Sequence, residues 1–160
     1  MIVLGVDPGL RKTGYGIVRL EKGVLSHVTA GIINLEKIPS IFDRLYYLYD
    51  ELNQIICRFS PNVLSLEKIF TGKNIRSAFM IGEARAIAIL SAKKAGLDIF
   101  EYTSRAVKQG VTGYGNASKE EVKRMVKLIL NLREDIKDDA SDALALAIYY
   151  INVFNITEKI

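Results

Sequence analysis

Four carboxylates stand out by where they fall in the chain. Asp7 ends a short apolar run, Ile2 to Val6, and Pro8-Gly9 turn the chain at once. Glu67 ends a second such run, Val63 to Leu66. Asp139 and Asp142 open a later apolar stretch and, three residues apart, share a helix face. Brought together, Asp7, Glu67, Asp139 and Asp142 make a hard-oxygen ligand set that suits Mg²⁺ or Mn²⁺. Carboxylates so placed repel, and resist ionising unless cations neutralise them. Two metals about 3.5–4 Å apart activate water and stabilise the leaving oxygen of a phosphodiester. Each acid also has a plainer use. Asp7 can cap its own turn, and Asp139 and Asp142 complement a helix N-terminus.

Competing chemistries are thin. Cys57 is the one cysteine and His27 the one histidine. That excludes an intramolecular disulfide and a zinc site built on Cys/His ligands. Cys57 is expected as a small core residue on an apolar helix face. His27 is expected on a solvated strand edge rather than in catalysis. No Ser-His-Asp or Cys-His arrangement competes, and the glycine-rich opening lacks the Gly-Lys-Ser/Thr ending of a P-loop. No signal peptide and no apolar run of about 18 residues is visible, so no membrane span is expected. A reducing, cytoplasmic compartment fits the cysteine usage.

The elements that must position these acids follow from pattern. Ile2–Val6 reads as a buried strand; Tyr15–Leu20 and Val24–Asn34 read as a hairpin about Glu21-Lys22-Gly23. Ser40 starts a helix whose apolar face runs from Ile41 through Leu45, Leu48, Leu52, Ile55 and Ile56 to Phe59. A strand–helix–strand crossover then sets Val63–Leu66 parallel to the first strand, so Asp7 and Glu67 emerge at the same end. Asn74 caps a helix to about Ala95. It is apolar on nearly every face from Ala84 to Ala92, which points to burial on two sides, the second against another subunit. Ile99–Tyr102 is a strand, Thr103–Gly110 a short helix, and Gly113-Tyr114-Gly115 a flexible loop. Ser118 with Glu121 has capping-box spacing. The 160 residues are expected to form one domain with its own core.

The net charge is +4, and the excess lies in residues 101–133, which hold seven Lys/Arg and three Asp/Glu. A local basic excess suits a polyanion. Lys119, Lys123, Arg124 and Lys127 form a face that is either solvated or tracks a phosphate backbone. Phe70 either plugs the core or is held out to stack on a base. Lys73 and Arg76 beside it are read as further DNA contacts, as is Lys123.

These motifs resemble the RuvC family of Holliday-junction resolvases from Val3 to about Tyr150. They are Gly-Val-Asp-Pro-Gly-Leu at 5–10, Thr-Gly-Tyr-Gly at 13–16, Leu-Glu-Lys-Ile-Phe at 66–70 and Gly-Lys-Asn at 72–74. Gly-Glu-Ala-Arg-Ala at 82–86, Val-Lys-Gln at 107–109 and Asp-Ala-Ser-Asp-Ala-Leu-Ala at 139–145 complete the set. The resemblance implies an α/β, ribonuclease-H-like fold: a mixed five-stranded sheet with helices on both faces. It implies a homodimer that nicks four-way DNA junctions in pairs with Mg²⁺, and RuvA and RuvB as branch-migration partners. The family's acidic tetrad falls on Asp7, Glu67, Asp139 and Asp142. Its junction aromatic falls on Phe70, and its basic residues on Lys108 and Lys119. A proline-rich stretch common before the third acid is here Arg133 to Asp138. Both Asp138 and Asp139 lie within reach of the Asp142 face, and the family motif favours Asp139. The rival classes are an actin-like nucleotide phosphotransferase, an RNA-cutting relative and a junction-binding module with a structural acidic cluster.

Overall fold

β1 (Ile2–Asp7) is the central strand, and its alternation sorts the molecule into two layers. Leu4 and Val6 join one core, and Val3 joins the other with Gly5 on its side, as the two-residue period of a strand requires. The structure, a computed structural model, describes residues 1–68 and 75–157. β2 (Lys12–Glu21) and β3 (Val24–Asn34) follow as a hairpin, with Lys22 and Gly23 at positive φ in its turn. β2 starts earlier than its apolar run suggests, because Lys12 to Gly14 pair with Ile32 to Asn34 despite their polarity.

α1 (Ile41–Phe59) is capped by Ser40, whose Oγ accepts the Asp43 N–H at 3.3 Å. It carries the chain across to β4 (Val63–Glu67), parallel to β1. α2 (Ile75–Lys94) returns to β5 (Asp98–Tyr102), parallel to β4. The sheet order is β3-β2-β1-β4-β5, five strands of mixed direction. α1 and α2 cover the face of Leu4, Val6, Leu64 and Leu66. The other face carries α3 (Ser104–Thr112), α4 (Lys119–Ile129) and α5 (Asp138–Thr157). α4 opens with the expected capping box of Ser118 and Glu121.

α5 lies directly on strand backbone. A β-carbon on Gly5 would meet the Ala143 carbonyl, one on Gly14 the Asp139 carbonyl, and one on Gly16 the Leu144 side chain. Ser65 of β4 ties the same helix, its Oγ donating to the Leu146 carbonyl at 2.9 Å.

Three expectations change. Cys57 is exposed, one residue round the helix from buried Ile56. Ile41 is exposed too, on the open first turn of α1. His27 is half-buried on β3, and burial lowers its pKa.

Gly14→Ala is expected to cost about 1–3 kcal/mol through this clash with α5. Urea unfolding measures it, and an unchanged midpoint would contradict the seating of α5 on β2.

Candidate active site

Strand alternation and strand direction decide where the first two acids go. Val6 lies beside Leu66 in the parallel β1–β4 pair, so Asp7 and Glu67 leave the sheet side by side. Both continue the rows that face α5: Val3, Gly5, Asp7 on β1 and Val63, Ser65, Glu67 on β4. The turn after Asp7 is pinned by buried Thr13. Its Oγ1 donates to the Gly9 carbonyl at 2.8 Å and accepts the Gly9 N–H at 3.2 Å. Thr13 was absent from the residues chosen for chemistry, and its role is visible only once the turn is closed.

Asp7, Glu67 and Asp142 line one cavity of about 290 Å³, with Lys108, Lys119 and Ser104 on its wall. Asp142 reaches it from the first turns of α5, and Lys119 from the start of α4. Lys119 Nζ lies 3.2 Å from Asp142 Oδ2. Asp139 lines a neighbouring groove with Gly9, Arg11, Lys12 and Glu36. Its charge is still felt at Asp7. Asp138 faces elsewhere, with its Oδ1 3.2 Å from Lys123 Nζ, which also meets Asp135 at 3.3 Å. Adjacent helix residues point about 100° apart, and here the second aspartate of the pair takes the side nearer Asp7.

The electrostatics match a crowd of like charges. Burial first, then Asp142, Glu67 and Asp139, push the Asp7 carboxyl up to about 7, with Lys119 opposing. Glu67 is raised by burial and by Asp142, against a hydrogen bond from Ser104 and the charges of Lys119 and Lys108. Lys119 is raised by Asp142, by charge and by hydrogen bond. Ser104 was missed at the sequence level, where it reads only as a residue inside the short helix Thr103–Gly110. Among the described residues no three acidic, His or Cys side chains close to metal-ligand spacing. The donor chemistry nevertheless fits a hard divalent cation, because the acids are oxygen-only and destabilise one another's charge.

The basic residues divide. Lys108 and Lys119 stand at the cavity. Lys123 does not; it is engaged by Asp135 and Asp138. Arg76 is exposed in the first turn of α2, outside the cavity. Phe70 and Lys73, and the Asn74 cap, lie outside the described residues.

A mixed sheet of this order, with acids at two adjacent strand ends and on the helix across them, defines a ribonuclease-H-like nuclease. Residues 3–150 match the family model of crossover junction endodeoxyribonuclease RuvC. This chain belongs to the RuvC family. Its RuvC relative in Ruminiclostridium cellulolyticum is 46% identical over 153 residues, covering 95% of this chain and 92% of the relative. That in Pseudothermotoga lettingae is 44% identical over 160 residues, 99% of each chain. A Thermus thermophilus RuvC solved in complex with Holliday junction substrate superposes with a TM-score of 0.91. It is 27% identical, with 98% of this chain and 96% of that one covered.

The raised Asp7 carboxyl sets a pH dependence for the metal-free protein. The folded state holds the Asp7 proton more tightly than the unfolded chain does, so the contribution of Asp7 to stability is full only below about pH 3.8. It should fall as pH rises to about 7, by an amount on the order of 4 kcal/mol. Asp7→Asn should flatten that slope in chelator-treated protein. Parallel pH–stability curves for the two proteins would contradict the crowding.

Proposed function

We propose that this chain resolves four-way DNA junctions by metal-dependent nicks, paired in strands of like polarity. The observation that carries the reading is the convergence of Asp7, Glu67 and Asp142 on one cavity walled by Lys108 and Lys119. The Thermus thermophilus relative bound to its Holliday junction substrate supports the choice of DNA.

Asp7, Glu67, Asp139 and Asp142 are the residues proposed to hold Mg²⁺, two ions per site, with Mn²⁺ able to substitute. Held there, the cations would activate water and stabilise the leaving oxygen of a phosphodiester. The chain's own groups do the rest. Ser104 steadies Glu67, Thr13 keeps the Asp7 turn closed, and Lys108 and Lys119 draw phosphates to the cavity. Phe70, Lys73 and Arg76 are proposed as further DNA contacts on the sequence reading. Lys123 is expected to add least, since Asp135 and Asp138 offset its charge.

The homodimer is proposed to form through α2. Ala84, Ala88, Ser91 and Ala92 are buried in the chain itself, whereas Phe79 and Leu90 are 71% and 57% exposed. α1 packs beside α2 and leaves Phe42 and Tyr46 exposed. A two-fold pair would set two sites on a junction that has the same symmetry. The single five-stranded sheet supports reading residues 1–160 as one nuclease unit. RuvA and RuvB as partners, and a cytoplasmic setting, are proposed on the resemblance. Among the described residues no helix is long and apolar enough to cross a membrane.

Asp7→Asn should abolish cleavage of a synthetic junction in Mg²⁺ while binding holds or tightens. Asp139→Asn should lose far more activity than Asp138→Asn. Near-normal cutting by Asp7→Asn, or equal losses at 138 and 139, would overturn the ligand assignment. For the dimer, Leu90→Glu should give monomers by sedimentation at micromolar concentration. Ala88→Glu should instead unfold the chain, because Ala88 is only 2% exposed. A wild-type monomer that still cuts in pairs would refute the α2 interface.

A further inference from the structure

The loop between α3 and α4 holds an aromatic ring in water. Tyr114 is 60% exposed. The other exposed aromatics lie on regular elements: Phe42, Tyr46 and Tyr47 on α1, Phe79 on α2 and Phe100 on β5. Among the described residues Tyr114 is the one carried by a loop.

That loop is pinned, contrary to the flexibility its glycines suggest. Gly113 ends α3 at φ 83°, its N–H donating to the Gln109 carbonyl at 2.9 Å. Gln109 Nε2 donates to the Gly113 carbonyl at 2.6 Å. Thr112 Oγ1 donates to the Lys108 carbonyl at 2.8 Å and accepts the Tyr114 N–H at 3.1 Å. The Tyr114 carbonyl accepts from Ala117 at 3.1 Å. A β-carbon on Gly115 would stand 2.9 Å from Arg105 Cγ, so the glycine lets the stem of this exposed arginine lie against the loop. Ordering a backbone costs entropy, and here the order presents a ring that the core does not use.

The loop also has a definite address. The two helices it joins are those that send Lys108 and Lys119 to the acidic cavity. Lys108 is one helical turn before Thr112, a rise of about 6 Å. Lys119 comes five residues after Tyr114. Tyr114 therefore sits in the loop that lies against Arg105, six residues after one cavity lysine and five before the other. Cations that track a backbone, interleaved with a fixed aromatic, form the arrangement that binds a nucleic-acid strand with unpaired bases. Two torsions orient a tyrosine ring, so little freedom is lost when a base lands on it.

We infer that Tyr114 is a stacking platform for a nucleotide of the strand being cut, flanking the phosphate drawn to the acidic cavity. The inference rests on the reading of that cavity as a junction nuclease site. Tyr114 is thus a substrate-binding residue that helps to place the strand, and its contribution is the face of its ring, not a charge.

The test uses full-length protein and a synthetic four-way junction carrying 2-aminopurine beside the cleavage position. Tyr114→Ala should weaken junction binding about tenfold in chelator and raise KM more than it lowers kcat in Mg²⁺. Tyr114→Phe and Tyr114→Trp should restore binding and the quenching of 2-aminopurine. The slope of log affinity against log salt should be the same for wild type and Tyr114→Ala, because no phosphate contact is lost, while Lys119→Ala should flatten it. Equal binding by Tyr114→Ala and wild type would overturn the platform. So would loss of binding in Tyr114→Phe, which keeps the ring, or a changed salt slope in Tyr114→Ala. If wild type itself neither binds nor cuts the junction, the nuclease reading fails first, an outcome separate from these.

Discussion

α5 touches strand backbone where most helices touch side chains. At Gly5, Gly14 and Gly16 no β-carbon stands between helix and sheet. The helix therefore sits at a distance set by backbone atoms, which cannot repack. That closeness brings Asp142 to the cavity at the ends of β1 and β4, and Asp139 onto the start of β2 beside it. A larger residue in the seam would lift the helix and take both acids with it. The same seam explains why Ser65, buried among apolar neighbours, costs nothing: its hydroxyl has the Leu146 carbonyl within reach.

The acids so gathered work against the fold. Burial and mutual repulsion raise Asp7 and Glu67, and the lysines relieve only part of that. Sites that need strained electrostatics are commonly offset by stability elsewhere. Here the offset lies in two well-filled cores, one on each face of the sheet, and in helix caps such as the Ser118–Glu121 box. Some of the charges outside the cavity are balanced in pairs. Lys123 and Lys127 both meet Asp135, and Arg11 and Lys12 share Glu36. The basic excess of residues 101–133 is thus less of a bare patch than the count suggests.

Much of this was legible before any coordinates. The alternation Val3-Leu4-Gly5-Val6-Asp7 and its echo Val63-Leu64-Ser65-Leu66-Glu67 already assign both acids to one face, given parallel pairing. Capping is local, so Ser40 and Ser118 were readable. Phase on a helix was harder. α2 is apolar nearly all round, so its pattern could not say that Ala88 points inward and Leu90 outward. Cys57 was misplaced because it neighbours Ile56 in sequence yet lies about 100° round the helix from it. Asp138 and Asp139 differ by the same angle, and Lys123, far off in sequence, holds the first of them. The loop at Tyr114 misled because two glycines signal freedom, whereas side chains of Gln109 and Thr112 remove it.

Lys119 holds one place in two possible partnerships. With the site at rest its ammonium is the counter-ion of Asp142. Any cation that takes over that carboxylate releases the lysine to meet a phosphate. Equally, a phosphate that captures the lysine leaves Asp142 bare and more avid for a cation. Linkage makes the two effects identical in free energy. With Asp142 holding a cation and Lys119 a phosphate, as proposed, this one ion pair on the cavity wall would couple the two bindings in the same direction.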